Sequence, residues 1–120
     1  MSSVLRKSVA VAVIAATVAF VAFDASAQAL LLNFRDAVRA YDTDEWTQFV
    51  GAGNHLLEVI GDTDTDLDCW VTTSNGTLLG SDDDSTDHCI IRWYQPYGTR
   101  LTFHIENLGG VYNRYHFMLR

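Results

Sequence analysis

Apolar side chains recur at every second position in short runs along residues 46–120, and turn residues separate these runs. Leu67, Cys69 and Val71, for example, alternate with polar or outward-facing residues in one run. A period of two places alternate side chains on one face of a β-strand. Seven or eight such runs at regular spacing are typical of an antiparallel β-sandwich. We therefore predict an all-β fold of about seven or eight short strands.

The composition favours a single folded domain and excludes one class of partner. The chain has 120 residues, of which 48% are hydrophobic, 19% are charged and one is proline. These values are typical of a globular domain. Fifteen acidic residues against eight basic residues give a net charge of −7. Because such a surface repels phosphate groups, we expect no nucleic-acid partner.

The first 27 residues have the three parts of a secretory signal peptide. Arg6 and Lys7 precede an uncharged apolar run at 9–23, and residues 25–27 (Ala-Ser-Ala) fit the small-residue cleavage rule. The alternative is a retained membrane anchor, but the run is shorter than the roughly twenty residues that cross a bilayer. We therefore expect a secreted or periplasmic protein that begins at Gln28 and has no membrane attachment after cleavage.

Cleavage would make the charge more negative. It removes Arg6, Lys7 and Asp24, which leaves six arginines, no lysine and fourteen acidic residues, a net charge of −8. An anionic surface without lysine is also repelled by acidic lipid headgroups.

The segment 28–45 differs in period from the rest of the chain. Its apolar residues at positions 30, 31, 34, 37 and 38 follow helical spacing. We therefore expect a short N-terminal helix or arm over 28–45, and a sandwich domain over 46–120.

A β-hairpin and a disulfide are predicted from local features. Asn75-Gly76 follows a strand-like run, and this dipeptide is the strongest short-range hairpin signal. With these two residues at the centre of the turn, paired residue numbers sum to 151. Cys69 and Cys89 are the only cysteines, and an even count in an exported chain predicts one disulfide. Each lies on the apolar face of its run, so we expect a buried, structural bridge.

Two groups of aspartates are candidate calcium ligands. The hairpin pairing places Asp68 opposite Asp83 and so brings both groups to one end of the sandwich. Carboxylates at this density repel one another, and Ca²⁺ accepts six to eight oxygen ligands in irregular loops. The alternative is that these residues form turns, because the Asp side chain accepts bonds from nearby backbone N–H groups. The candidates are Asp62, Asp64, Asp66, Asp68, Asp82, Asp83, Asp84 and Asp87.

The sequence offers no catalytic residues that we would single out. Serines have no GxSxG-type context, and a cysteine nucleophile conflicts with the predicted disulfide. Trp70 lies on the face opposite Cys69, so it is a candidate for an exposed ligand-binding aromatic residue. Most aromatic residues of a small sandwich belong to the core, which is the alternative for Trp70.

The order of several motifs resembles that of the bacterial pre-peptidase C-terminal domain across most of residues 46–120. The motifs are GDTDTDLD at 61–68, NG at 75–76, SDDDSTD at 81–87, GTRLTF at 98–103, ENLG at 106–109 and VYNRY at 111–115. The resemblance implies a secreted, non-catalytic, jelly-roll-like β-sandwich. In that family the domain is usually appended to secreted peptidases and aids secretion, localisation or substrate binding. Related collagenase modules bind calcium and their protein substrate.

From the residues and the resemblance together, we expect a secreted, non-catalytic accessory or binding module that calcium stabilises. Its partner would be a secreted protein or an extracellular polymer. Two alternatives stay open, a small secreted peptidase inhibitor and a carbohydrate-binding module. An inhibitor needs only one exposed loop, whereas an enzyme needs a cleft that a sandwich of this size hardly offers.

Overall fold

The computed structural model describes residues 29–62 and 65–120, and these residues form eight β-strands. The predicted signal peptide lies outside the described residues. No helix among the described residues is long and apolar enough to cross a bilayer. The strands are β1 (Leu32–Val38), β2 (Thr43–Val50), β3 (Gly53–Gly61), β4 (Leu67–Thr73), β5 (Leu78–Asp82), β6 (His88–Gln95), β7 (Thr99–Asn107) and β8 (Asn113–Leu119).

The strands form two four-stranded antiparallel sheets. The first sheet has the order β1-β8-β3-β6 and the second has the order β2-β7-β4-β5. The chain passes from one sheet to the other after nearly every strand, and only β4 and β5 are consecutive neighbours within a sheet. This arrangement of two four-stranded sheets is a jelly roll. The predicted jelly-roll-like β-sandwich is confirmed.

Of the short helix or arm expected within residues 28–45, the helix is wrong, because this segment contributes a strand to the first sheet. β1 pairs with β8 over its whole length, from Leu32 opposite Leu119 to Val38 opposite Asn113. Leu32 and Val38 are buried. Residues 32, 34 and 38 also fit a period of two, and the pairing with β8 gives the extended backbone of this segment its hydrogen bonds. The sandwich therefore begins at residue 32 instead of 46.

Aromatic side chains from both sheets meet in the core. Phe34 of β1 stacks on Phe117 of β8 at a ring-centroid distance of 4.7 Å. Trp46 of β2 meets the edge of Phe34 at 4.6 Å, and Phe103 of β7 meets Phe117 at 5.3 Å. Large buried side chains of this kind supply most of the energy of a small core.

The predicted disulfide is confirmed and joins the two sheets. Cys69 of β4 and Cys89 of β6 form the bridge, and both residues are buried. Leu67 and Val71, the neighbours of Cys69 on its face of β4, are fully buried as well. The alternation seen in the sequence therefore identifies the inner face of β4 correctly.

The β4–β5 hairpin forms where Asn75-Gly76 predicts it, with a different tip. Cys69 pairs with Asp82 and Val71 with Gly80, so the expected sum of 151 holds along the strands. The register shifts after Val71, and Thr73 bonds to Thr77 across a three-residue loop. Gly76 takes a positive φ of 88° there. A loop of three residues that ends on a left-handed glycine is a common alternative to the two-residue turn.

Candidate functional site

The predicted carboxylates lie at the end of the sandwich where β3 and β5 end and β4 and β6 begin. We call this end the acidic rim. The amide of Gly61 donates a hydrogen bond to the carbonyl of Asp87, and the amide of Leu67 donates one to the carbonyl of Thr86. These bonds hold the β5–β6 loop against the β3–β4 connection. The described members of the rim are Asp62, Asp66, Asp68, Asp82, Asp83, Asp84 and Asp87, whereas Asp64 lies outside the described residues.

Asp82 and Asp84 use their carboxylates to shape the loop that contains them. The amide of Ile90 donates to Oδ2 of Asp82 at 2.9 Å. The amide and hydroxyl of Thr86 donate to Oδ1 of Asp84 at 2.9 and 2.8 Å. These bonds from Thr86 lower the pKa of Asp84. Both aspartates thus act as turn residues, which is one of the two interpretations of the sequence.

Asp68 differs from Asp84, because its surroundings disfavour the ionised form of its carboxyl group. Burial, followed by the carboxylates of Asp66, Asp83 and Glu106, raises the pKa of Asp68 from 3.8 to about 6. Oδ1 of Asp66 and Oδ1 of Asp68 are both buried and have no hydrogen-bond partner in the described part of the chain. A proton or a cation at this position would relieve the repulsion.

The rim carboxylates that the structure describes do not converge as a complete metal site. Within residues 29–62 and 65–120, no group of three or more His, Cys, Asp or Glu side chains is arranged to hold an ion. The donor chemistry around Asp68 nevertheless fits calcium, because the two buried, unpartnered atoms are carboxylate oxygens. Asp66 and Asp68 are therefore the residues that would hold such an ion.

A flat aromatic surface lies on the outer face of the second sheet. Trp70 of β4 pairs across the strands with His104 of β7. Their rings are stacked with a centroid distance of 4.8 Å and an angle of 4° between the planes. Trp70 is partly exposed. We call the surface formed by the stacked side chains of Trp70 and His104 the Trp70 face.

Two hydrogen bonds hold the imidazole of this stack in place. Nε2 of His104 lies 2.9 Å from the hydroxyl of Thr72, and Nδ1 lies 3.2 Å from Oε2 of Glu45. Glu45 comes from β2, Thr72 from β4 and His104 from β7, so three neighbouring strands build the stack. A ring fixed from both nitrogens gives a rigid surface for a ligand.

The hydroxyl of Thr72, the imidazole of His104 and the carboxylate of Glu45 have the order of a hydrolytic triad, but the backbone amides beside them are engaged in the sheet. Thr72 and His104 project from the outer faces of interior strands, and the inward neighbours Val71 and Phe103 are fully buried. The backbone amides of β4 and β7 belong to the sheet ladders. They are therefore not available as the oxyanion donors that acyl transfer requires.

The sequence predicts Trp70 as a ligand-face residue but not its partners. Glu45, Thr72 and His104 are separated by up to 59 residues in the chain. Only the sheet order, which places β7 between β2 and β4, brings them together. The local sequence carries no signal of this neighbourhood.

Comparisons with known proteins find similar structures but no similar sequence. No family model and no curated protein sequence matches the chain. The pre-peptidase C-terminal domain of a collagenase from Bacillus anthracis matches with a TM-score of 0.63 and 10% identity, over 73% of this chain and 87% of that domain. The fold is like that of a pre-peptidase C-terminal domain. Aeromonas hydrophila PliG, a periplasmic inhibitor of g-type lysozyme, matches with a TM-score of 0.50 and 12% identity, over 73% and 84% of the two chains.

Proposed function

We propose that the protein is an exported, non-catalytic β-sandwich module that binds a secreted protein or an extracellular polymer through the Trp70 face. The observation that carries the proposal is the parallel stack of Trp70 on His104 on the outside of a sheet. Aromatic rings with one exposed side offer a large contact area at low entropic cost. The disulfide is consistent with export, because such bonds persist in oxidising compartments.

The stack is suited to binding because it is formed before a ligand arrives. The hydrogen bonds with Thr72 and Glu45 already fix the imidazole, so binding does not have to order it. A preorganised surface loses less entropy on association. Glu45 is about half exposed and can accept further hydrogen bonds from a ligand.

Replacing Trp70 with alanine is expected to weaken binding at least about tenfold, because the stack loses its indole ring. Retention of the protein would be measured on insoluble cell-envelope material, on insoluble polysaccharides and on immobilised secreted proteins, including peptidases and g-type lysozyme. The matched control is Tyr112→Ala, which removes an exposed aromatic ring from the β7–β8 connection.

Equal retention of wild type, Trp70→Ala and Tyr112→Ala would contradict the proposed binding face. Inhibition of a peptidase or of the lysozyme that survives in Trp70→Ala would support the alternative of an inhibitor that uses a loop. Hydrolysis of an activated ester by wild type, lost in His104→Ala, would contradict the non-catalytic assignment.

We propose further that calcium stabilises the acidic rim beside Asp66 and Asp68. Burial and then the neighbouring carboxylates raise the pKa of Asp68 to about 6, and the ion would offset both effects. In the absence of calcium, the folded protein binds the Asp68 proton more tightly than the unfolded chain does. This contribution to stability is fully present below pH 3.8 and is lost as the pH rises through 6.

Asp68→Asn is therefore expected to stabilise the calcium-free protein at neutral pH. We expect a gain of about 1 kcal/mol, after solvent screening, and a rise in Tm of roughly 4–8 °C. Millimolar Ca²⁺ should raise the Tm of wild type at neutral pH by mass action, but not that of Asp68→Asn. At pH 5 the effect of calcium should largely disappear, because Asp68 is then mostly protonated. Thermal unfolding followed by circular dichroism measures all of these effects.

The matched control is Asp84→Asn, which makes the same substitution at a carboxylate that accepts hydrogen bonds from Thr86. This variant should be less stable than wild type and should keep its response to calcium. A wild-type Tm that does not change with Ca²⁺ would contradict the calcium proposal. An Asp68→Asn variant less stable than wild type at neutral pH would contradict the claim that the negative charge of Asp68 destabilises the folded protein.

A further inference from the structure

A cavity of about 340 Å³ lies between the tip of the β4–β5 hairpin and the β6–β7 connection. We call it the hairpin pocket. It is at the end of the sandwich opposite the acidic rim, because β4 and β6 end here and β5 and β7 begin. Its lining residues are Thr73, Ser74, Asn75, Thr77, Leu79, Tyr94, Gln95, Pro96, Tyr97 and Thr99.

The lining of the hairpin pocket is polar but uncharged. Six of its ten residues carry an aliphatic hydroxyl or a carboxamide, and none is Asp, Glu, Lys, Arg or His. Such a lining is unusual in a chain with a net charge of −7. The two tyrosines add exposed rings, since Tyr94 is 63% and Tyr97 is 71% exposed. Flat rings and neutral hydrogen-bonding groups thus face the same space.

The hairpin wall of the pocket is held by a local hydrogen-bond network. Oδ1 of Asn75 accepts bonds from the hydroxyls of Thr73 and Thr77, the latter at 3.2 Å. The amide of Thr77 donates to the hydroxyl of Thr73 at 3.1 Å. Because the carboxamide oxygen is engaged, the orientation of Asn75 is fixed. Its nitrogen has no partner among the described residues and is a donor that a ligand can use.

The opposite wall is held by Gln95, which is buried. Nε2 of Gln95 donates to the carbonyls of Val50 at 3.0 Å and Tyr97 at 3.3 Å. Oε1 of Gln95 accepts a bond from the indole of Trp93 at 2.8 Å. Both walls of the pocket are therefore preorganised.

We infer that the hairpin pocket binds a neutral saccharide unit of an extracellular glycan. Sugar rings present C–H groups that pack on aromatic faces, and their hydroxyls exchange hydrogen bonds with carboxamides and hydroxyls. The lining offers no cationic partner for a carboxylate or phosphate ligand. An apolar peptide would cover the nitrogen of Asn75 without giving it an acceptor, which costs binding energy. The volume lies at the lower end of the range for small-molecule sites, which suits a short saccharide.

The hairpin pocket is separate from the Trp70 face, so the proposal for one site can be contradicted while the proposal for the other stands. Isothermal titration calorimetry with cello-, malto-, xylo- and N-acetylchito-hexaose provides the test. Hexagalacturonate serves as the anionic probe and a polyproline peptide as the apolar probe. We expect at least one neutral hexasaccharide to bind wild type. Its affinity should fall at least about tenfold in Tyr97→Ala and in Tyr94→Ala.

The control is Tyr112→Ala, which should bind the same saccharide as wild type does. The exposed positions of Tyr94 and Tyr97 mean that the test variants should fold, and their Tm values verify this. The inference is overturned if no neutral saccharide on the panel binds wild type, or if hexagalacturonate or polyproline binds in its place. It is also overturned if the Tyr94 and Tyr97 variants bind the saccharide like wild type.

Discussion

Replacing Cys69 and Cys89 together with alanine lowers the free energy of unfolding by about 3 kcal/mol in our expectation. The bridge closes a loop with a sequence separation of 20 residues and connects β4 of one sheet to β6 of the other. It is buried in a domain whose core is small, so few other contacts can replace it. The corresponding fall in Tm is roughly 15 °C. Urea and thermal unfolding monitored by circular dichroism measure both values.

Reduced wild type is the control that separates the stabilisation due to the disulfide bond from that due to the packing of the two cysteine side chains. It keeps both side chains but not the bond, so it should lose most of the same stability. Equal stability of the oxidised and reduced forms would contradict a stabilising role for the bridge. Because both cysteines are buried, reduction should require partial unfolding of the protein.

Tyr115→Phe is expected to destabilise the protein by about 2–3 kcal/mol, because it removes one hydroxyl from a buried network. The hydroxyl of Tyr115 donates to Oδ2 of Asp44 at 2.7 Å and accepts a bond from the indole of Trp46 at 2.8 Å. Tyr115 and Asp44 are 2% and 4% exposed. Burial, together with the charge of Asp44, raises the pKa of Tyr115. The network connects β8 of the first sheet to β2 of the second.

Urea unfolding of Tyr115→Phe measures this effect, and Tyr112→Phe is the control. Tyr112 is about half exposed, so removal of its hydroxyl should change stability by less than about 0.5 kcal/mol. Equal stability of the two variants would contradict the claim that the carboxylate of Asp44 needs the Tyr115 hydroxyl as a hydrogen-bond donor.

Features that depend on neighbours in the sequence could be predicted. The strand over Leu67–Thr73 has the bounds that alternation indicates, and Asn75-Gly76 marks the hairpin that follows it. The disulfide follows from two cysteines on inward faces. In each case a few adjacent residues and their period determine the structure.

Features that depend on distant strands could not be predicted. β1 fits helical spacing and a period of two, and only its pairing with β8 decides between them. Trp70 meets His104 because β4 and β7 are neighbours in the sheet, which no local pattern indicates. The rim aspartates look alike in the sequence, yet Asp84 has hydrogen-bond donors and Asp68 has carboxylate neighbours. That difference depends on tertiary structure.

Oxidative footprinting of the bound protein tests the central claim most directly. The protein would be bound to the material that retains it and exposed to hydroxyl radicals. Mass spectrometry would then compare the oxidation of Trp70 and Tyr112 in the free and bound states. We expect Trp70 to be protected on binding, while Tyr112 stays as reactive as in the free protein. Trp70 that is oxidised at the same rate in both states would contradict the claim that this face binds the partner.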